Sequence, residues 1–270
     1  MPHLAATSDQ ILSPVTGQRK IDVSIILACY NAASYVEESF KQIEDVLKAT
    51  IYCYELIFVD DKSNDATVSI VKKLIQGKDY CRLYVHEINQ GRGKTVHNGL
   101  MKARGEIIGF IDLDLDNPAR YMTSMILGIR NNRADVCTAL RVYRWKFNLY
   151  FFIRLLLSKG YAKLSSALLQ TYLKDTETGC KFFRRDKIIP ILEQTQEHGW
   201  FWDTELMTRA YYGGLVIREI PTLFIRNTFV STVDLLPETF KYLYALFHFL
   251  PVKNKLRRQW LRHEEKANLF

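Results

Sequence analysis

The feature that most restricts the fold of this 270-residue chain is an alternation of short apolar runs with helically spaced segments, in which successive apolar runs end in acidic or polar residues. Val23–Ala28 leads into Cys29, Tyr30 and Asn31, and Glu55–Val59 ends in Asp60 and Asp61. Arg82–His86 precedes a Gly-rich turn, Asn89-Gln90-Gly91-Arg92-Gly93, and Ile107–Ile111 runs into Asp112, Asp114 and Asp116. Asp135–Leu140 reads as a fifth strand. Between the runs, Ser34 with Glu37 three residues on predicts a capping box at the start of a first helix. Val68, Val71, Lys72 and Ile75 have helical spacing in a second, starting near Asp65, and a third is predicted over Thr95–Arg104, stopped by Gly105. Strands alternating with helices predict an α/β fold with a mostly parallel central sheet and helices on both faces. Such sheets bind ligands beyond the carboxyl ends of their strands, so the polar ends of four consecutive strands mark a candidate site.

Asp112, Asp114 and Asp116 sit at alternate positions in IDLDLDNP. Three carboxylates so close repel one another unless a cation neutralises them, and a few oxygen ligands on a loop suit Mg2+ or Mn2+ completed by substrate phosphates. A solvated acidic turn before a helix is the plain alternative, and Asp60 and Asp61 at the end of a neighbouring strand favour the functional reading. No G-x-G-x-x-G follows the first strand and no G-x-x-x-x-G-K-[ST] is present, which removes the main support for a dinucleotide fold or a P-loop. The turn around Arg92 and Lys94 still suits a phosphate at a helix N-terminus. His97 reads as a partly buried histidine rather than a base.

The second half differs in charge. The chain carries 37 Lys+Arg against 29 Asp+Glu, a net charge of +8, which points to a polyanionic partner. Val136 to Lys174 contains no acidic residue, whereas Arg141, Arg144, Lys146, Arg154, Lys159, Lys163 and Lys174 are basic and interleave with aromatics. A loop (DTETG), a strand (KFFRR), a helix near Trp202–Tyr212, a strand (LVIREI) and an aromatic helix around Phe240–Leu250 follow, with a basic tail. The five cysteines form no C-x-x-C pair and read as buried free thiols of a reducing compartment. The apolar runs Leu149–Ile153 and Tyr242–Leu250 are far shorter than the roughly 20 residues of a spanning helix. The expected organisation is a polar lead-in (1–20), a catalytic domain (21–234, with halves 21–135 and 136–234) and an aromatic-basic helix and tail (235–270).

VSIILACYN, FVDDKSNDAT, NQGRGKTVHNG and GEIIGFIDLDLDNP, taken in order, resemble the nucleotide-sugar half of GT-A glycosyltransferases of family 2. IRLLLSKG, DTETGCKFFRR, GWFWDTELM and IRNTFVSTV resemble its polyprenyl-phosphate branch, which includes the dolichyl-phosphate mannose and glucose synthases. The likeness runs from about Ile21 to Phe249. It implies that Asp60 and Asp61, with Tyr30, Asn31 and Arg92, bind the donor nucleotide, and that Asp112, Asp114 and Asp116 hold the metal and diphosphate. It further implies that Arg141, Arg154, Ser158 and Arg226 clamp the acceptor phosphate and donor diphosphate, while Asp203 and Glu205 lie near the sugar. The chain departs from the pattern at Asp116, where Gln is usual, at Arg92, Thr95 and Phe229, and at Thr232, which replaces a Lys of the acceptor clamp. The C-terminal membrane spans of many bacterial members have no counterpart in these residues.

The chemistry that follows is inverting, metal-dependent transfer of glucose or mannose from a nucleotide sugar to a dolichyl or undecaprenyl phosphate. WFWDTEL and DTETGCKFF resemble the glucosyl branch more than the mannosyl one, which implies UDP-glucose rather than GDP-mannose as the donor. A lipid phosphate already carries negative oxygens, so the acceptor needs cations more than a base, with Asp114, Asp203 and Arg141 the central catalytic candidates. The aromatic-basic segments Trp145–Tyr161 and Phe240–Arg262 fit a peripheral contact with the cytoplasmic face of a membrane, or with a membrane partner protein. A saccharide acceptor in cell-surface glycan synthesis, a catalytically inactive nucleotide-sugar binder and a nucleic-acid role are the alternatives; nothing resembles a nucleic-acid module.

Overall fold

The computed structural model describes residues 20–143, 160, 163–225 and 235–267. The first half alternates as expected: β1 (Val23–Cys29), α1 (Val36–Lys48), β2 (Tyr54–Asp60), α2 (Thr67–Leu74), β3 (Cys81–Val85), α3 (Arg92–Lys102), β4 (Ile107–Ile111), α4 (Tyr121–Arg130) and β5 (Val136–Tyr143). Helix α5 (residues 163–169), β6 (Cys180–Arg184), α6 (Arg185–Leu192), α7 (Trp202–Tyr212), β7 (Ile217–Phe224) and α8 (Leu235–Ala267) follow.

The strands form one seven-stranded sheet in the order β3-β2-β1-β4-β6-β5-β7. All neighbours are parallel except β6, which runs antiparallel between β4 and β5. The strands β1, β2 and β4 read as continuous apolar runs because both their faces are covered. Phe40, Ile43 and Leu47 of α1 and Met122 and Met125 of α4 pack on one face, and Val96 and Leu100 of α3 with Trp202 and Leu206 of α7 pack on the other. Four of the five free cysteines are buried and Cys53 is half-buried.

Three local expectations are corrected. The Ser34–Glu37 capping box does not form: α1 opens after Tyr35 without a side-chain cap. The Tyr35 and Val36 amides instead donate to the Ala32 carbonyl, while Thr67 and Asp65 receive the Ala32 and Ala33 amides, so the second loop supports the first. Helix α3 begins at Arg92 rather than Thr95, because Gly91, at φ 87°, turns the chain into it directly. The aromatic C-terminal helix is 33 residues long and continues through Pro251, well past the Leu250 limit read from the sequence. No helix among the described residues is long and apolar enough to cross a membrane.

Candidate active site

The loop after β4 carries the acidic trio in a simple alternation. Leu113 and Leu115 are buried in the core, and Asp112, Asp114 and Asp116 between them are half-exposed at the sheet edge. Leu115 takes a left-handed backbone (φ 49°), and the Asp116 amide donates to Asp114 Oδ1 at 3.1 Å. Burial, reinforced by the charges of Asp112 and Asp116, pushes the Asp114 carboxyl up to about 7. The 175–179 loop covers this turn: the Asp112 amide donates to the Gly179 carbonyl at 2.7 Å, and a Cβ at Gly179 would lie 2.0 Å from Asp112 Oδ2.

Arg92 joins the trio to α7. Its guanidinium donates to Asp112 Oδ1 from Nε at 3.1 Å and from Nη2 at 2.8 Å, and from Nη1 to Asp203 Oδ2. Its charge also lies 5.3 Å from the centre of the Trp200 ring. The other Asp203 oxygen accepts from Lys181 Nζ at 2.6 Å, and both Asp203 and Lys181 are fully buried. Burial pulls the Lys181 ammonium below its usual range, against the pull of Asp203. Its chain position, on a strand covered on both faces, is what removes it from water.

Arg141, on β5, forms a bidentate pair with Asp175, 2.7 Å at each contact. Glu177, two residues on, is half-buried, and its buried Oε1 lacks a hydrogen-bond partner among the described residues. Burial, with Asp175 and Asp203 adding to it and Arg141 opposing, pushes the Glu177 carboxyl up to about 7.

Asp60 and Asp61 are placed at the edge as expected, both buried, and each organises a loop. Asp60 accepts from the Ser63 amide at 2.9 Å; Ser63 Oγ in turn accepts from the Asn31 amide, and Asn31 Oδ1 from the Asn64 amide. Asp61 accepts from His86 Nδ1 and from the Gln90 and Gly91 amides, all at 2.8 Å. Burial opposes this, but those donors hold the Asp61 carboxyl below the usual range. The Gly-rich turn therefore has two of its amides turned to Asp61 rather than open to a phosphate. Its Gly93 meets the 198–202 turn, where a Cβ would lie 2.4 Å from both the Gly199 carbonyl oxygen and Trp202 Cβ. Tyr30 is exposed beside Asn31. Burial first, with Lys94 and His198 nearby, lowers His97 to about 4. Glu205 does not face the trio: it accepts from Arg209 Nε and from the Gln196 and Glu197 amides.

Arg154, Ser158 and Arg226 lie outside the described residues, as do Phe229, Thr232 and most of Trp145–Tyr161. The backbone just before Arg226 is anchored at the trio, since the Ile225 amide donates to the Asp116 carbonyl at 2.9 Å. Sequence reasoning missed Asp175, Glu177 and Lys181 as individual site residues. No local signal marked Lys181: the KFFRR segment also carries Arg184 and Arg185, and of the three only Lys181 is fully buried.

Among the described residues no three His, Cys, Asp or Glu side chains already converge to hold a metal. The donor chemistry nonetheless fits Mg2+ or Mn2+: hard oxygens and a net negative charge that Arg92 only partly offsets.

This mixed sheet, with acidic strand ends along one edge, is the GT-A nucleotide-diphospho-sugar transferase fold. Glucosyl-3-phosphoglycerate synthase from Mycobacterium tuberculosis, solved with Mn2+, UDP and phosphoglyceric acid, superimposes with a TM-score of 0.64 at 17% identity, covering 85% of this chain and 78% of that one. The model of glycosyl transferase family 2 matches residues 24–192, and the chain belongs to that family. Glycosyltransferase AglD of Haloferax volcanii is 27% identical over 74% of this chain, which spans 32% of that protein's length. A dolichyl-phosphate beta-glucosyltransferase of Dictyostelium discoideum is 25% identical over 78% of this chain and 69% of its own.

Proposed function

We propose that this chain transfers a hexose from a nucleotide sugar to a polyprenyl phosphate, with inversion, and that UDP-glucose is the donor. The observation that carries the reading is the hydrogen-bonded network Asp112–Arg92–Asp203–Lys181, with the Arg141–Asp175 pair on β5 of the same sheet. The dolichyl-phosphate glucosyltransferases among the relatives support the acceptor and the sugar.

In this reading Tyr30, Asn31, Asp60 and Asp61 shape the nucleotide pocket, the two aspartates largely by fixing its loops. Asp112, Asp114 and Asp116 would hold Mg2+ or Mn2+, which would neutralise charge on the departing diphosphate. Arg92 adds a fixed positive charge to the same side. Arg141, with Arg154, Ser158 and Arg226, holds the acceptor phosphate against the donor, and a guanidinium suits this because it meets phosphate oxygens two at a time. Both oxygens of Asp203 are taken by Arg92 and Lys181, an arrangement that orients those cations rather than one free to take a proton. A phosphate acceptor needs no base, so the site is better matched to phosphate than to a sugar hydroxyl. The enzyme would work at the cytoplasmic face of the membrane that carries its lipid.

Incubation with radiolabelled UDP-glucose or GDP-mannose, Mg2+ and a short-chain polyprenyl phosphate should put label into the organic phase from UDP-glucose, and EDTA should abolish it. Label found only in water-soluble glycan would overturn the lipid acceptor, and label from GDP-mannose alone would overturn the sugar.

A further inference from the structure

Arg92 opens α3 at a position where the chain departs from the family pattern, and its side chain reaches into the acidic trio. Three contacts take both carboxylate oxygens of Asp112: Nε to Oδ1 at 3.1 Å, Nη2 to Oδ1 at 2.8 Å and Nη2 to Oδ2 at 3.0 Å. The guanidinium is also held from its other side. Nη1 donates to Asp203 Oδ2, and the second Asp203 oxygen is fixed by Lys181 at 2.6 Å. The group lies 5.5 Å from the centre of the Phe110 ring and 5.3 Å from that of Trp200. The Arg92 side chain is 14% exposed and that of Asp112 is 30% exposed, so the carboxylate is the more accessible partner. A lysine would lack the planar fork that grips both oxygens of one carboxylate while reaching a second.

We propose that Arg92 is a built-in competitor of the divalent cation: it occupies Asp112 in the metal-free chain and so sets how tightly the trio takes metal. The inference rests on the reading of the trio as a Mg2+ or Mn2+ site and deepens it. Asp112 cannot give the same lone pairs to a guanidinium and to a metal ion, so metal binding has to break contacts with Arg92. Asp203, Phe110 and Trp200 keep the guanidinium in place when it loses Asp112. Nε and Nη2 are then free to donate to phosphate oxygens, and an anion entering with the metal restores their pairing. A carboxylate engaged by its competitor about nine-tenths of the time lowers the apparent metal affinity about tenfold.

Mn2+ binding to the whole chain without nucleotide, followed by electron paramagnetic resonance of the free ion, tests the inference without turnover. Arg92→Gln should bind Mn2+ about tenfold tighter than wild type. Arg92→Lys, which keeps the charge and loses the fork, should also bind it tighter, and circular dichroism melts report that each variant is folded. In wild type, the nitrogen–proton signal of Arg92 Nε, assigned by its absence from Arg92→Lys, should move with Mg2+ away from its carboxylate-bound position. A signal unmoved by saturating Mg2+ overturns the competition whether or not the variants fold. Equal Mn2+ affinity in wild type and both folded variants overturns it too, and leaves the trio standing as the metal site. Tightening in Arg92→Gln alone reports a loss of charge rather than of the fork, and also overturns it. Failure of every chain to bind Mn2+, even with UDP present, overturns the metal reading and the competition together.

Discussion

Gly179 is the smallest residue on which the site depends. Its missing side chain lets the 175–179 loop lie against Asp112, so Gly179→Ala forces the carboxylate or the loop aside. A shift of about 1 Å in a positioned group costs on the order of 10²-fold in rate, so kcat/KM of this variant should fall by about that factor while the protein still folds. Steady-state kinetics beside a thermal melt would check both halves. Lys181 poses the opposite problem, a charge sealed inside. Lys181→Met removes one of two partners from a buried Asp203. Breaking a buried pair from one side costs about 3–5 kcal/mol, because the remaining charge is left without its partner, and urea denaturation should show a loss of that order. Neither residue's importance is visible from its neighbours in the chain. Lys181 and Asp203 are 22 positions apart, Arg141 and Asp175 are 34, and Arg92 and Asp203 are 111.

At the scale of elements, the strands were the legible part, since strands buried on both faces are mostly apolar, and buried polar residues among them, Ser24, Glu55 and Lys181, are hydrogen-bonded. The helix starts were less so. Ser34 and Glu37 have the spacing of a capping box, but Thr67 and Asp65, from across the site, take the amides of the preceding loop instead, and tertiary partners override the local pattern. Helix α8 shows the same rule in reverse. Its aromatic residues read equally well as core or as interface, and the structure divides them: Leu246 and Phe249 pack on Leu169 and Phe201, while Phe240, Tyr244 and Phe247 face outward. Phe249→Ala should therefore destabilise the chain by about 3–5 kcal/mol, with the cost appearing as a lower denaturation midpoint. A loss below about 1 kcal/mol would mean that α8 is held by other contacts.

Over the whole molecule, stability should fall in acid for a definable reason. Glu55 is buried and would be raised by that burial, but Ser24 and Arg104, with Arg82, hold its carboxyl below the usual range; Asp61 is held down likewise. A carboxyl lowered by folding contributes fully above its unfolded value, about pH 4, and the contribution is lost as pH falls through the folded value. Acid titration of stability should thus show a decline beginning near pH 4, shallower in Glu55→Gln. The sequence by itself determined the α/β layering and the sheet edge where the polar strand ends gather, because those follow from periodicity and from which residues can be buried. Only the tertiary structure decided that Arg92 bridges Asp112 to Asp203, that Lys181 is sealed behind Asp203, and that Asp61 spends its oxygens on the Gly-rich turn. Those pairings join residues brought together by the folded sheet, and spacing along the chain carries no record of which distant charge a side chain will meet.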